Sequence, residues 1–387
     1  MNASDAKSLP PASFAAATVA TVIGFGGTVA LVVQAGQALG ANTAQIISML
    51  AALALGIGLT GAVLSWRLKM PVVMAWSTPG AALLATSAGY DWPTAVGAFL
   101  LAALMMVVTG MIPALGRLAA RIPSGVASGM LAGVLLPFCL KLFQAVSVDA
   151  AFVIGLIVLF LVAKRFAATW AVPVVLVAAF VVLGLRGQLA LSFDTGWMTR
   201  LAPTVPQFDW KAAIGLALPL YLVTLASQNL PGLVVLRAAG YEPPANRLIF
   251  WGGLASTLAA PFGAHGVNLA AITAALCTNP EAHPDTAQRW KVGVIYGGLY
   301  LVVALFIPPL VQLFVAMPAH VLASVTGIAL LAPLAGALGG VFKDEAYREP
   351  ALLTFACTAS GLALWGIGSA FWGLMVGFAA LAILKRP

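Results

Sequence analysis

Two stretches decide how this chain folds: Pro71-Val-Val-Met-Ala-Trp76-Ser77-Thr78-Pro79-Gly80-Ala-Ala-Leu-Leu-Ala-Thr-Ser87, and Pro261-Phe-Gly263-Ala-His265-Gly266-Val-Asn268-Leu-Ala-Ala-Ile-Thr-Ala-Ala-Leu276. Each opens on Pro, Gly and small polar residues and then becomes an apolar, Ala-rich helical run. One falls in each half of the chain. Short, Gly/Pro-interrupted hydrophobic segments in corresponding halves are the sequence signature of a secondary transporter's binding site.

The composition around them requires a lipid solvent. The chain is 62% hydrophobic and only 8% charged over 387 residues, with mean hydropathy +1.04. Soluble domains carry roughly 25% charged residues. The net charge of +8 does not indicate a nucleic-acid partner, because Lys and Arg occur in ones and twos between apolar runs, as topology signals do. The polar stretch Met1 to Pro11 has no apolar signal-peptide core, so insertion is expected from the first span itself. Cys139, Cys277 and Cys357 are scattered and form neither a metal nor a disulfide pattern. No cofactor is expected.

Spans are expected near 13–37, 44–65, 72–89, 93–115, 124–141, 149–163, 170–186, 210–230, 246–262, 265–278, 291–310, 318–338, 350–365 and 367–384. The fold class is thus an all-α polytopic membrane protein of about fourteen segments. With both termini cytoplasmic, fifteen basic residues face inside: Lys7, Arg67, Lys69, Arg117, Arg121, Lys164, Arg165, Arg237, Arg247, Arg289, Lys291, Lys343, Arg348, Lys385 and Arg386. Four face outside: Lys141, Arg186, Arg200 and Lys211. That bias supports counting both broken segments as crossings. A twelve-span plan with both as re-entrant loops fits the charges less well. Seven spans per half force the second half to run upside down relative to the first, an inverted repeat whose third segments are the broken ones (segments 3 and 10).

In the first broken span, Pro71–Trp76 is expected to be extended and a helix to run from Thr78 to Ala88, capped by Ser77 or Thr78 with Pro79 in its first turn. In the second, Gly263–Val267 is the expected extended piece and Asn268 the cap. The two helix N-termini would meet near the midplane and form an anion site from free N–H groups. The paired extended pieces would satisfy each other by hydrogen bonding, as irregular backbone at that depth requires. None of the eleven Asp and Glu residues falls in the interior of a drawn span; Asp91, Asp149, Asp209, Glu281 and Asp285 sit at span ends or in loops. A cation transporter normally places a carboxylate there, so an anion is the better fit.

The stretches Ala75-Trp-Ser-Thr-Pro-Gly-Ala-Ala-Leu-Leu84 and Ala226-Ser-Gln-Asn-Leu-Pro-Gly-Leu-Val-Val-Leu-Arg237, and the run from Ala260 to Trp290, resemble the benzoate/proton symporter family (BenE-type) over nearly the whole chain. The resemblance implies import of benzoate or a similar aromatic carboxylate with a proton across the inner membrane, and no enzyme activity. It further implies the fold of nucleobase and sulfate permeases, in which a core domain and a gate domain move against each other. On that plan the core is 12–116 (segments 1–4) and 209–316 (segments 8–11). The gate is 122–187 (segments 5–7) and 317–385 (segments 12–14). In that larger fold the eighth segment carries a substrate-contacting acid or amide. Gln228 or Asn229 falls there in this chain, where a carboxylate is missing.

The substrate-binding candidates are Phe25, Trp76, Ser77, Thr78, Gly80, Gln228, Asn229, Gly266 and Asn268. Ser77 and Thr78 serve as cap or as donors to a carboxylate. Gln228 and Asn229 bind substrate or a neighbouring helix. Phe25 and Trp76 stack on an aromatic ring or fill the core. His265 is the proton-coupling candidate, being the intramembrane group that titrates near neutrality. His283, two residues after Glu281, is read as loop structure and weak as a metal motif; His320 is read as interfacial. The expected partners are a small aromatic carboxylate, a proton and membrane lipid, with a homodimer left open. A nucleobase or inorganic anion, an uncoupled channel and an intramembrane enzyme are the competing readings. A nucleobase conflicts with the missing membrane acid, sulfate with the apolar, Phe- and Trp-bearing surroundings, and an intramembrane enzyme with the lack of paired His/Asp ligands, an intramembrane acid pair or a nucleophile motif.

Overall fold

A computed structural model of the chain describes residues 10–87, 89–114, 123–189 and 196–384. Lys7, Arg117, Arg121, Lys385 and Arg386 of the inside charge set, and Ala88 at the expected end of the first half-helix, lie outside the described residues.

The first half runs α1 (Pro11–Gly26), α2 (Val29–Ala38), α3 (Thr43–Leu68), β1 (Met74–Trp76), α4 (Thr78–Ala85), α5 (Trp92–Met111), α6 (Ser124–Gln144), α7 (Ala150–Phe166) and α8 (Ala171–Leu185). The second half runs α9 (Trp210–Ala238), α10 (Ala245–Ala259), β2 (Val267–Leu269), α11 (Ile272–Thr278), α12 (Trp290–Leu305), α13 (Ile307–Val315), α14 (Ala319–Phe342), α15 (Arg348–Ala359) and α16 (Ser369–Leu384). Among the described residues, seven helical stretches are long and apolar enough to cross a membrane, or eight if α12 and α13 count together. The chain is a multi-pass membrane protein.

Local chemistry sets the ends of these elements. The α3 helix starts on a reciprocal cap: the Asn42 side chain accepts from the Gln45 amide, and the Gln45 side chain accepts from the Asn42 N–H. It ends at Lys69, whose left-handed conformation (φ 54°) turns the chain toward Pro71 and the extended run into β1. Asp91 and Asp149 cap α5 and α7 more simply, each accepting one bond, from the Thr94 and Phe152 amides. The single span expected at 291–310 is two helices bent by 67°, because Pro308 and Pro309 exclude a continuous helix at Phe306.

The broken segments meet as expected, with two corrections. Strands β1 and β2 pair antiparallel, with Met74 opposite Leu269, Ala75 opposite Asn268 and Trp76 opposite Val267. The Ala270 amide adds a bond to the Val73 carbonyl at 2.9 Å. The first half-helix is shorter than expected and stops at Ala85. In the second segment the extended piece is Val267–Leu269 rather than Gly263–Val267. Asn268 is therefore a strand residue and not a cap; Ala271 occupies the cap position, without a side-chain bond. Gly263 (φ 91°) ends a helical turn over Ala260–Phe262, and Gly266 (φ 152°) redirects the chain into the strand. Both conformations favour a residue without Cβ. Because the strands are antiparallel, α4 and α11 leave the ribbon in opposite directions.

Helices flank this ribbon in a reciprocal arrangement. The α3 helix packs lengthwise on α12, and α10 packs lengthwise on α5. Glycines set both crossings: a Cβ on Gly58 would come within 2.7 Å of the Gly297 carbonyl, and one on Gly253 within 2.7 Å of the Val107 amide. A second dense group joins α6 to α14 and α15, and α15 to α16. The segment 196–209 straps across one end of the first group, where the Thr204 amide bonds the Pro261 carbonyl and the Gln207 amide bonds the Pro93 carbonyl.

Candidate substrate site at the paired strands

Ser77 ends β1 and caps α4. Its Oγ accepts from the Gly80 amide at 2.9 Å, as Ser-x-Pro-Gly at a helix start favours. The Thr224 hydroxyl of α9 donates to the same Oγ at 3.0 Å. In this first turn Pro79 has no N–H, Gly80 bonds Ser77 Oγ, and the Ala81 amide bonds the Ser77 carbonyl. Thr78 is the partly exposed residue of this turn, and an N–H in the first turn has no acceptor within its own helix.

The α9 helix has a π-helical turn at Leu225–Asn229, a distortion frequent at functional sites. Its two consecutive amides serve the two strands separately. Gln228 Nε2 donates to the Trp76 carbonyl at 3.1 Å. Asn229 Oδ1 accepts from the Leu269 amide at 3.1 Å, and its Nδ2 donates to Asn268 Oδ1 at 3.0 Å.

These bonds fix the polarity of a buried pair. The Leu269 N–H can only donate, so Asn229 must turn its oxygen to it and its amino group to Asn268. Asn268 therefore receives at Oδ1 and points Nδ2 away. The Ser77 carbonyl can only accept, so His265 Nε2 carries the proton at 3.3 Å from it, and Nδ1 is left as a bare lone pair. Asn268 Nδ2 and His265 Nδ1 have no partner in the protein. Both residues are at least 97% buried. They line one void of about 10 Å³ with Gly266, Ser256, Thr224 and Tyr221. That is room for about one water, and the two residues bring one unpaired donor and one unpaired acceptor to its lining.

The apolar side of the site is aromatic. Trp76 stands edge to face with Phe25 at 5.4 Å and with Tyr300 at 6.4 Å. Its indole N–H donates to Thr28 Oγ1 at 2.8 Å. Tyr296, packed on Tyr300, donates its hydroxyl to the Met74 carbonyl at 3.0 Å. The structure brings all nine substrate candidates and His265 into this one neighbourhood. Thr28, Thr224, Ser256, Tyr296 and Tyr300 belong to it as well. The Tyr pair sits one helical turn apart on α12, a spacing the sequence displays but a membrane helix uses equally for packing. His283 lies elsewhere, in the loop after α11, where Nδ1 accepts from the Asp285 amide. Among the described residues no group of His, Cys, Asp and Glu is arranged to hold a metal.

Comparisons with known proteins agree with this architecture. The family model "Benzoate membrane transport protein" (BenE) matches residues 7–383. The chain is 38% identical over 382 residues to "Inner membrane protein YdcO" of Escherichia coli, covering 98% of this chain and 97% of that protein. It is 35% identical over 373 residues to "Benzoate membrane transport protein" of Acinetobacter baylyi, covering 95% and 94%. Among solved structures, the transmembrane domain of the cyanobacterial bicarbonate transporter BicA aligns with TM-score 0.63 and 16% identity over 95% of this chain and 97% of that one. Murine Slc26a9, an anion transporter in the inward-facing state, aligns with TM-score 0.62 and 13% identity over 97% and 69%. At those identities the structural likeness establishes the fold alone.

Proposed function

The chain belongs to the BenE family of benzoate membrane transport proteins, and on that premise we propose that it imports benzoate or a similar aromatic carboxylate with a proton across the inner membrane. The observation that carries the reading is the meeting, at the strand ribbon, of a capped helix tip, two oriented amides, a neutral His and an aromatic wall, without a carboxylate. The carboxylate of the substrate sits at the Ser77–Gly80 turn, with the Thr78 amide and hydroxyl and Gln228 as donors. Asn229 orients Asn268, and Gly266 lets the second segment approach. Phe25 and Trp76 face the ring.

A carboxylic acid ionises near pH 4, so the substrate is an anion at neutral pH. Bringing one negative charge inward against the membrane potential costs about 2.3 kcal/mol per 100 mV. A proton carried with it removes that cost. The bare Nδ1 of His265 is the acceptor that the geometry offers.

The polar void holds about one water and no aromatic acid. Substrate entry therefore needs the two helix groups to separate, and alternating access follows. We assign residues 12–116 and 209–316 to the core and 122–187 and 317–385 to the gate. The chain then has fourteen crossings in a seven-plus-seven inverted repeat with both termini cytoplasmic. The exchange of partners between α3·α12 and α10·α5 supports that symmetry.

Counterflow of labelled benzoate in proteoliposomes tests transport, and uptake at two imposed pH gradients tests coupling. Uptake that rises with an inward proton gradient is expected. Uptake that ignores the gradient would reject the proton and keep the substrate; absence of counterflow would reject the substrate.

A further inference from the structure

Away from the ribbon, α3 and α10 enclose a groove of about 480 Å³ on the flank of the molecule. Its floor is built of small residues, among them Ala52, Gly56, Ala255 and Ala259. Its walls carry Leu59, Val63, Trp251 and Leu258, each at least 43% exposed. The lining of α3 runs from Ala52 to Arg67, roughly 22 Å of helix at 1.5 Å per residue. One leaflet of hydrocarbon is about 15 Å deep, so the groove holds an acyl chain along its length.

The groove is not uniform. Arg67, in the last turn of α3, stands at one end of it, exposed and without an ion-pair partner among the described residues. A guanidinium at the membrane interface matches a phosphate through paired N–H bonds. A neutral hydrocarbon tail explains the walls but gives the Arg no counter-charge. We infer that α3 and α10 form a binding site for one anionic phospholipid, its acyl chain in the groove and its phosphate on Arg67. The floor connects it to the transport site: a Cβ on Gly56 would lie 2.6 Å from the Val267 side chain of β2. The lipid tail is thus one layer of side chains from the ribbon.

The test uses the full-length purified protein, delipidated and then supplied with phosphatidylglycerol or phosphatidylcholine. Native mass spectrometry reads the retained lipid. A phosphatidylglycerol with a photoreactive acyl chain reads its place. Selective retention of phosphatidylglycerol is expected, with crosslinks on the α3 and α10 walls. R67Q should lower that retention about five-fold, the effect of one interfacial cation, and lower that of phosphatidylcholine, whose phosphate charge is offset by its choline, by less. A255F, which fills the floor, should lower the crosslink yield. If A255F does not fold, R67Q and the crosslink map decide alone. Equal retention of both lipids, indifference to R67Q, or crosslinks spread evenly over the apolar surface would each overturn the site and leave only a solvating lipid annulus.

Discussion

His265 and Asn229 show how much of the site depends on single atoms. His265 lines the void, its Nε2 holding the Ser77 carbonyl and its Nδ1 without a partner in the protein. Gln carries an amide nitrogen near the Nε2 position but has nothing to titrate at the Nδ1 position. His265→Gln is therefore expected to keep benzoate counterflow within a few-fold of the parent. It should also lose at least ten-fold of the accumulation driven by a pH gradient, read in the same vesicles. Loss of both together would make His265 a structural post. Asn229 is a different case, since both of its polar ends bond inside the protein. Asn229→Leu leaves the Leu269 amide and the Asn268 carbonyl buried without partners, at about 1–3 kcal/mol each. A fall in melting temperature is expected, larger than that of Gln228→Leu, whose side chain is only partly buried. Equal shifts in a thermal melt would refute the ranking.

At the level of elements, the first broken segment was readable because each piece carries a local signal: Pro71 for the extended run, Ser77 for the cap and Pro79 for the first turn. The second was displaced by a few residues. Its strand has no pattern of its own, and Val267–Leu269 is extended because Met74–Trp76 lies opposite. Asn268 resembled a cap in sequence, and only the pairing turns it into a strand residue. The π-helical turns of α9 and the Tyr296–Tyr300 pair left no distinct trace, since their positions depend on neighbours distant in sequence. The glycines offer a sharper test of element packing. Gly58 faces a neighbouring backbone carbonyl, whereas a Cβ on Gly298 would meet nothing within 4 Å. Gly58→Val should destabilise the protein by several kcal/mol, as overpacking at a backbone contact does, and Gly298→Val should stay within about 1 kcal/mol. Denaturation in mild detergent measures both, and a tolerated Gly58→Val would break the proposed crossing. A salt bridge ties two further elements, Arg186 at the end of α8 and Asp149 at the start of α7. That bond, with the Phe152 amide, holds the Asp149 carboxyl below its usual 3.8. Its folded-state pKa is depressed, so the stabilisation is complete above the unfolded value and fades as pH falls through the folded one. Asp149→Asn keeps the cap, so its melting temperature should trail the parent's at pH 7, start to close on it as pH falls below the usual 3.8 and meet it once pH passes the lowered folded-state value. A gap that persists in acid would assign the effect to something other than the ion pair.

Across the whole molecule, the densest packing lies within two groups, α2–α5 with α10 and α12 around the ribbon, and α6 with α14 to α16. Polar bonds between the groups are sparse among the described residues. One lies partly buried in the interface, where Gln34 Nε2 of α2 donates to Thr326 Oγ1 of α14. A transporter that alternates by moving one group against the other has to break this bond in each cycle. A partly buried hydrogen bond is worth about 1 kcal/mol net, which shifts a two-state population roughly five-fold. Gln34→Met keeps the length of the side chain and removes the donor, so it should raise the share of the separated state by that factor. Labelling of Thr78→Cys by a membrane-impermeant thiol reagent reports that share. Cys139 and Cys277 are buried, and Cys357 is replaced by Ser for the measurement. A few-fold faster labelling of Thr78→Cys in the Gln34→Met background is the expected result, because separation uncovers the α4 tip. Unchanged labelling, with uptake also unchanged, would show that the bond moves with one rigid body, and the boundary between core and gate would then have to be drawn on the other side of α2 or of α14.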